Sequence, residues 1–272
     1  MKEKLYTIPL NDAVAAADEC PFCFVEREVE QDLLDYVLGA GSSYMESDVR
    51  DATDREGFCR RHLKQMFDYG NTLGNGWIMK THYLRLRGEM EAVFAKYAPD
   101  GDNRPAKVRP SLFSRSGPLT GSVNPDKTNR LPDPVNPLAR WVRGKEDSCY
   151  ICKRFNETFA RYMDTFFHMY KNDPAFREKI AQSKGFCLSH FGGLCEAAES
   201  KLNENEKRDF YPAMCRLMSE NMERLAGDVA WLVEKFDYRN HEADWRDSRD
   251  AIQRGMQKLR GGYPADPPYG GS

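Results

Sequence analysis

Cys20-Pro21-Phe22-Cys23 and Gly57-Phe58-Cys59-Arg60-Arg61-His62 form a pair of short motifs in the first part of the chain. The same pair recurs further on as Cys149-Tyr150-Ile151-Cys152 and Gly185-Phe186-Cys187-Leu188-Ser189-His190. The CxxC motifs start 129 residues apart and the CxxH motifs 128, and together they use six of the eight cysteines and two of the five histidines. Chance is a poor explanation of this agreement, so the chain contains an internal duplication.

The duplicated residues have the chemistry of metal ligands. Zinc prefers a tetrahedron of thiolate sulfur and imidazole nitrogen, and a site with four protein ligands is closed and structural. We therefore expect two zinc ions per chain, one held within each copy of the duplication. The predicted ligands are Cys20, Cys23, Cys59 and His62 in the first copy, and Cys149, Cys152, Cys187 and His190 in the second.

Three other roles for these cysteines stay open at this point. Buried cysteines can be ordinary small hydrophobic residues, a CxxC pair can be a redox dithiol, and three cysteines with one histidine can hold an iron–sulfur cluster. A redox dithiol gives no role to the CxxH motifs, whereas ligand type alone does not separate zinc from iron. No phosphate-binding loop and no catalytic motif accompanies the ligands, which favours a non-enzymatic protein without deciding the question.

The apolar residues between and after the motifs follow helical spacing. Asp173-Pro174 predicts the N-cap and first position of a short helix, and Ser47 is predicted to start its counterpart in the first copy. The predicted fold is all-α: two duplicated helical modules, each pinned by a Cys3His metal site, plus a C-terminal helix. The predicted boundaries are 1–98 for the first module, 99–137 for a linker or long loop, 138–241 for the second module, 242–260 for the C-terminal helix and 261–272 for a disordered tail.

The segment 99–137 differs from the rest because it is rich in Pro, Gly, Ser and Asn and has no apolar period. From Asn103 to Lys145 there are nine Lys or Arg against two Asp, a net charge of +7. Such a strip could bind nucleic acid or an acidic partner, but a solvated tether between modules is the simpler interpretation. The whole chain has a formal charge of −2, which does not match nucleic acid or an anionic membrane.

The chain shows no apolar run of the ~20 residues that span a bilayer and no apolar core of a signal peptide. We therefore expect a cytoplasmic protein without a membrane partner. The cytoplasm keeps thiols reduced, so eight cysteines there need a reason other than disulfides.

The last predicted helix opens with Asp244-Trp245-Arg246-Asp247-Ser248-Arg249-Asp250. Its predicted buried face consists of Trp245, Ile252, Met256 and Leu259. With this segment and the two CxxC…GFCxxH sets, the chain resembles a family of uncharacterised prokaryotic proteins with tandem CPxC…GFCxxH modules and a similar closing helix. The second copy departs from that pattern by having Tyr150 where the first has Pro21, and the resemblance implies no activity.

These observations predict a zinc-binding helical scaffold with two structural Cys3His sites that mediates interaction with a protein partner. One alternative is a nucleic-acid-binding or regulatory protein that uses the basic linker. Another is a thiol or metal redox sensor, or an iron–sulfur protein.

Overall fold

The structure is a computed structural model that describes residues 6–41, 43–95, 133–267 and 269–270. Within these ranges the chain forms eleven α-helices and no strand, which confirms the all-α prediction. None of the helices in this part of the chain combines the length and the apolar character needed to cross a bilayer. The helices are α1 (Thr7–Ala15), α2 (Pro21–Leu38), α3 (Ser47–Glu56), α4 (Arg60–Tyr69), α5 (Thr72–Phe94), α6 (Pro137–Glu146), α7 (Tyr150–Asn172), α8 (Pro174–Ala181), α9 (Leu188–Lys201), α10 (Glu204–Glu234) and α11 (Ala251–Arg260).

The chain divides into two compact units, which we name after the histidine that each contains. The His190 unit comprises Met1–Glu30 and Asn156–Pro267, and the His62 unit comprises Gln31–Phe155 and Pro268–Ser272. Both boundaries fall inside long helices, so α2 and α7 each contribute residues to both units. The predicted modules 1–98 and 138–241 do not coincide with the units, because each unit combines segments from both copies of the duplication.

Local sequence signals set the helix starts as expected. Asp173 Oδ1 accepts hydrogen bonds from the backbone N–H groups of Ala175 (3.0 Å) and Phe176 (3.2 Å), and Pro174 occupies the first helical position of α8. These bonds satisfy donors that have no partner within the helix. Ser47 is the first residue of α3, as predicted.

Each unit has its own core. In the His190 unit the core is aromatic: Phe22, Phe166 and Phe186 are each 1% exposed, with ring centroids 5.5–6.0 Å apart. In the His62 unit the core combines aliphatic and tyrosine side chains, and Leu34 and Ile78 within it are fully buried. The start of α2 therefore packs in one core and its end in the other.

The final helix buries a different face from the predicted one. Ile252, Met256 and Leu259 are 42–53% exposed, whereas Arg254, Gln257 and Lys258 are at most 8% exposed. The apolar stripe of α11 thus faces solvent, because its charged face meets the buried carboxylate of Glu19, which is described below.

The segment after α11, expected to be a disordered tail, makes defined contacts. Arg27 donates a hydrogen bond to the Pro267 carbonyl (2.8 Å) and lies 3.5 Å from the Asp266 carboxylate. Within the other unit, Gln31 donates to the carbonyl of Gly270 (2.8 Å). Side chains of α2 therefore hold this Pro- and Gly-rich segment through its backbone carbonyls. Most of the predicted linker, residues 99–132, lies outside the described residues.

Candidate metal centres

The eight predicted ligands gather into two clusters, but the two motifs of one copy do not meet. Of the described residues, Cys20, Cys23, Cys187 and His190 form one cluster, and Cys59, His62, Cys149 and Cys152 form the other, with the ligand atoms of each within 4.8 Å of one another. Each CxxC motif therefore faces the CxxH motif of the other copy. The predicted pairing of Cys20 and Cys23 with Cys59 and His62, and its counterpart in the second copy, is wrong.

Helix length explains the exchange. The 18 residues of α2 carry the chain about 27 Å from the first CxxC motif at ~1.5 Å per residue. The return helix α3 has ten residues and spans only about 15 Å. The CxxH motif that follows α3 therefore stays in the unit where α2 ends. The 23-residue α7 and the 8-residue α8 repeat this mismatch in the second copy.

The His62 cluster has the dimensions of a tetrahedral site. His62 Nδ1 lies 3.2–3.4 Å from the sulfurs of Cys59, Cys149 and Cys152. The Cys59 and Cys152 sulfurs are 3.8 Å apart. Zinc–sulfur bonds of about 2.3 Å and zinc–nitrogen bonds of about 2.0–2.1 Å give tetrahedral edges of about 3.8 Å between sulfurs and about 3.5 Å between sulfur and nitrogen. The four atoms can therefore surround one ion of zinc's size.

The His190 cluster has a similar spacing between its sulfurs and its imidazole nitrogen. His190 Nδ1 lies 3.2 Å from Cys187 Sγ, 3.3 Å from Cys20 Sγ and 3.6 Å from Cys23 Sγ. In both clusters the nitrogen that faces the sulfurs is Nδ1, which leaves Nε2 facing away from them.

The same local geometry presents the CxxH ligands in both clusters. Cys59 and Cys187 are the N-cap residues of α4 and α9, so each histidine sits on the first turn of its helix, three residues later. The backbone N–H of His190 also donates to Cys187 Sγ (3.4 Å). Gly57 and Gly185, two residues before these cysteines, have φ of +62° and +75°, which favours glycine over any other residue.

The His190 imidazole has an ordered environment on its far side. Its Nε2 lies 3.2 Å from Glu26 Oε1, and the rings of Phe159 and Phe22 lie 5.4 Å and 5.6 Å from its own ring. A carboxylate on the second nitrogen of a metal-binding histidine fixes its tautomer and raises its basicity. Aromatic walls exclude water from the same site.

The thiols and the imidazole of the His62 cluster shift one another's pKa values, because they lie within hydrogen-bond distance. Hydrogen bonds from Cys149 and Cys152 hold the pKa of the Cys59 thiol well below its ordinary value, and those among the same three sulfurs raise the pKa of Cys152. Burial lowers the pKa of His62, but its contacts with Cys149 and Cys59 outweigh burial and raise it. Ionisation of one thiol is thus favoured and ionisation of a second is disfavoured, because two negative charges at this distance repel each other. A divalent cation would remove that conflict.

The other cluster repeats this pattern. Hydrogen bonds from Cys20 and Cys23 lower the pKa of Cys187, and the pKa of Cys23 is raised mainly by its contacts with Cys187 and Cys20. The pKa values of equivalent cysteines in the two copies are therefore shifted in the same direction.

A buried ionic network adjoins the His190 cluster at Glu19, the residue before the first ligand. The Glu19 carboxylate, 1% exposed, lies 2.6 Å from Arg224, 3.3 Å from Arg254 and 3.2 Å from Lys258. Lys258 also donates to the backbone carbonyls of Glu19 (2.5 Å) and Lys184 (2.6 Å). The network therefore attaches α11 to the peptide that carries Cys20.

The two clusters differ in exposure. All four ligands of the His190 cluster are buried, with Cys20 and Cys187 at 0%. In the His62 cluster, Cys59 and Cys152 are partly exposed. The backbone next to Gly261 covers the His190 cluster, since a Cβ at that position would lie 3.5 Å from Cys187 Sγ and 3.6 Å from Cys23 Sγ.

Sequence reasoning missed three features of the site: the role of Glu26, the network around Glu19, and the cover at Gly261. The Glu19 partners Arg254 and Lys258 stand in the closing segment that carried the resemblance, so only their role was unforeseen. Cys195, partly exposed, and Cys215, exposed, lie outside both clusters.

The model of one protein family, described as a family of unknown function (DUF6062), matches residues 1–266. No curated protein and no solved structure gives a significant match.

Proposed function

The chain belongs to this family of unknown function, and we propose that it is a zinc-binding helical scaffold with two structural Cys3His zinc sites. The ligands of one ion are Cys20, Cys23, Cys187 and His190, and those of the other are Cys59, His62, Cys149 and Cys152. One observation carries this proposal. In each unit, the CxxC motif of one copy and the CxxH motif of the other bring three sulfurs and one Nδ1 close enough to surround a single ion.

Zinc suits these sites better than the alternatives. A redox dithiol needs two sulfurs and leaves the third sulfur and the imidazole without a role. Four protein ligands fill the tetrahedron, so each site is structural and offers no open position for catalysis. Eight cysteines without a disulfide fit a reducing compartment, which supports a cytoplasmic location.

The partner of the scaffold is a protein in this proposal. The support is the exposed apolar stripe of α11, in which Ile252, Met256 and Leu259 follow helical spacing. Apolar side chains in such a row are used to bind other proteins. The buried network around Glu19 holds this helix in place, so the stripe is presented on a rigid support.

Elemental analysis together with an absorption spectrum of the tag-free protein tests the metal. We expect about two zinc ions per chain and no visible colour, since zinc has a filled d shell. Chelation of the zinc is expected to reduce helicity, because metal binding and folding are coupled. Iron with visible absorbance would overturn the zinc assignment.

Capture from a lysate with two matched variants tests the partner. Ile252→Asp with Met256→Asp places charges in the stripe, and Leu84→Asp changes a similarly exposed residue (54%) of α5. We expect a captured protein to be lost with the α11 variant and kept with the α5 variant, at unchanged zinc content. A capture profile that is identical for all three proteins would remove α11 as the binding surface.

A further inference from the structure

The two clusters share a ligand set but differ in how solvent reaches their sulfurs. We propose that Cys59 and Cys152 form an oxidation site, at which a peroxide converts the two thiolates to a disulfide and releases the zinc ion of the His62 cluster. This inference rests on the proposed zinc function, and it assigns a regulatory role to one of the two sites. The His190 cluster remains a purely structural site.

Exposure selects the two sulfurs. Cys59 and Cys152 are the two partly exposed cysteines of the clusters, and one comes from each motif. Their counterparts in the duplication are Cys187, at 0%, and Cys23, at 5% exposed. Oxidation of cysteine follows thiolate character and access, so the exposed pair reacts first.

Distance permits the bond. The Cys59 and Cys152 sulfurs are 3.8 Å apart, whereas a disulfide needs about 2.05 Å. Side-chain rotation can close that difference once the metal no longer holds the sulfurs at tetrahedral spacing. The third sulfur of the site belongs to Cys149, which is 6% exposed.

The surroundings of the two clusters reinforce the difference. At the His190 cluster, Gly261 leaves no more than the room of a Cβ between its backbone and the sulfurs of Cys187 and Cys23, and the Glu26 carboxylate lies beside the imidazole. Three residues after the second cysteine of the other CxxC motif, Phe155 takes the place of Glu26. The position that corresponds to Glu26 therefore offers no carboxylate to the His62 cluster.

The reaction balances without any further component. One thiolate attacks an oxygen of hydrogen peroxide, which breaks the O–O bond and gives a sulfenic acid and hydroxide. The second thiolate attacks the sulfenic sulfur, the S–S bond forms, and a second hydroxide leaves. Two protons from solvent convert both hydroxides to water, and two electrons pass from the sulfurs to the peroxide. The zinc ion is then left with only two protein ligands, Cys149 and His62, and therefore dissociates.

The test uses the full chain in its zinc-loaded form, with Cys195→Ser and Cys215→Ser so that only cluster thiols react. Hydrogen peroxide is added in small excess, a chromophoric indicator follows zinc release, and peptide mapping without reduction locates disulfides. We expect one zinc equivalent to leave about ten-fold faster than the second, since reactivity follows access. The Cys59–Cys152 disulfide is expected to appear at the same rate as that first equivalent.

Three results would overturn the inference. Both ions could leave at one rate, the first disulfide could join Cys23 and Cys187, or zinc could leave before any disulfide forms. A chain that carries no zinc and takes up none would instead overturn the proposed function, so the two failures are distinguishable.

Discussion

Glu26 makes the two clusters chemically unequal at the scale of a single residue. Its carboxylate lies 3.2 Å from His190 Nε2, on the side of the ring opposite the sulfurs. Such a partner keeps the proton on Nε2 and leaves the Nδ1 lone pair directed at the three sulfurs, where it could bind a metal ion. The counterpart position holds Phe155, so the duplication preserved the ligands and diverged immediately behind them.

Replacing Glu26 with alanine should weaken zinc binding at the His190 cluster alone. Loss of a partner of this kind costs about 10–100-fold in metal affinity. Competition against a chromophoric chelator measures the affinity of each site. The control is Glu28→Ala, which removes an exposed carboxylate from the same helix. Equal affinities for the two variants would show that the carboxylate does not support the ligand.

At this scale the sequence was sufficient to select side chains. Residue type and spacing selected the same eight residues that the structure gathers into two clusters. Glu26 gave no signal, because a glutamate three residues after a CxxC motif on a helix is indistinguishable from an ordinary solvated residue. Its role depends on His190, which stands 164 residues away in the sequence.

At the scale of elements, α11 shows where apolar periodicity fails. The rule that the apolar stripe is the buried face predicted burial of Ile252, Met256 and Leu259, and the structure buries Arg254 and Lys258 instead. The charged face is buried because it contacts the buried carboxylate of Glu19. The hydrogen bonds and ion pairs formed there offset the loss of hydration. Helix starts such as Asp173-Pro174 were predicted correctly, since capping depends only on neighbours in the sequence.

Lys258→Met should destabilise the His190 unit, because it leaves the buried carboxylate of Glu19 with one cation fewer. Breaking a buried pair costs roughly 3–5 kcal/mol of unfolding free energy. Because Arg224 and Arg254 still pair with Glu19, we expect a loss at the lower end, about 3 kcal/mol. Urea unfolding at fixed zinc concentration measures the loss.

The matched control is Lys201→Met, which removes a surface pair with Asp164 whose side chains are 42% and 56% exposed. An exposed pair of this kind contributes about 0–1 kcal/mol. Similar losses for both variants would mean that the network around Glu19 does not anchor α11.

At the scale of the whole molecule, the pairing of the motifs lay beyond what spacing can predict. Pairing within a copy closes a loop of about 35 residues, whereas the crossed pairing places His190 170 residues from Cys20. The closure entropy of these alternatives differs by only about 1.4 kcal/mol. That difference is small beside zinc binding of roughly 10–16 kcal/mol, so the lengths of α2 and α7 decide the pairing.

Zinc stoichiometry of two double variants tests this exchange. Cys20→Ser with Cys187→Ser removes two ligands from one cluster, so one zinc ion per chain is expected to remain. Cys20→Ser with Cys59→Ser removes one ligand from each cluster, so both sites are expected to lose tight binding. Pairing within each copy would give the opposite result, with one ion kept by the second variant and none by the first.

The crossed pairing also has a consequence for the order of events on the ribosome. At about 5–20 residues per second, synthesis needs about 10–35 s to proceed from Cys20 to His190. Until Cys149 is synthesised, Cys59 and His62 are the only other cluster ligands present in the nascent chain, and the native fold does not pair them with the first CxxC motif. A zinc ion captured early would hold the nascent chain in the wrong arrangement, so correct assembly favours metal delivery after translation is nearly complete.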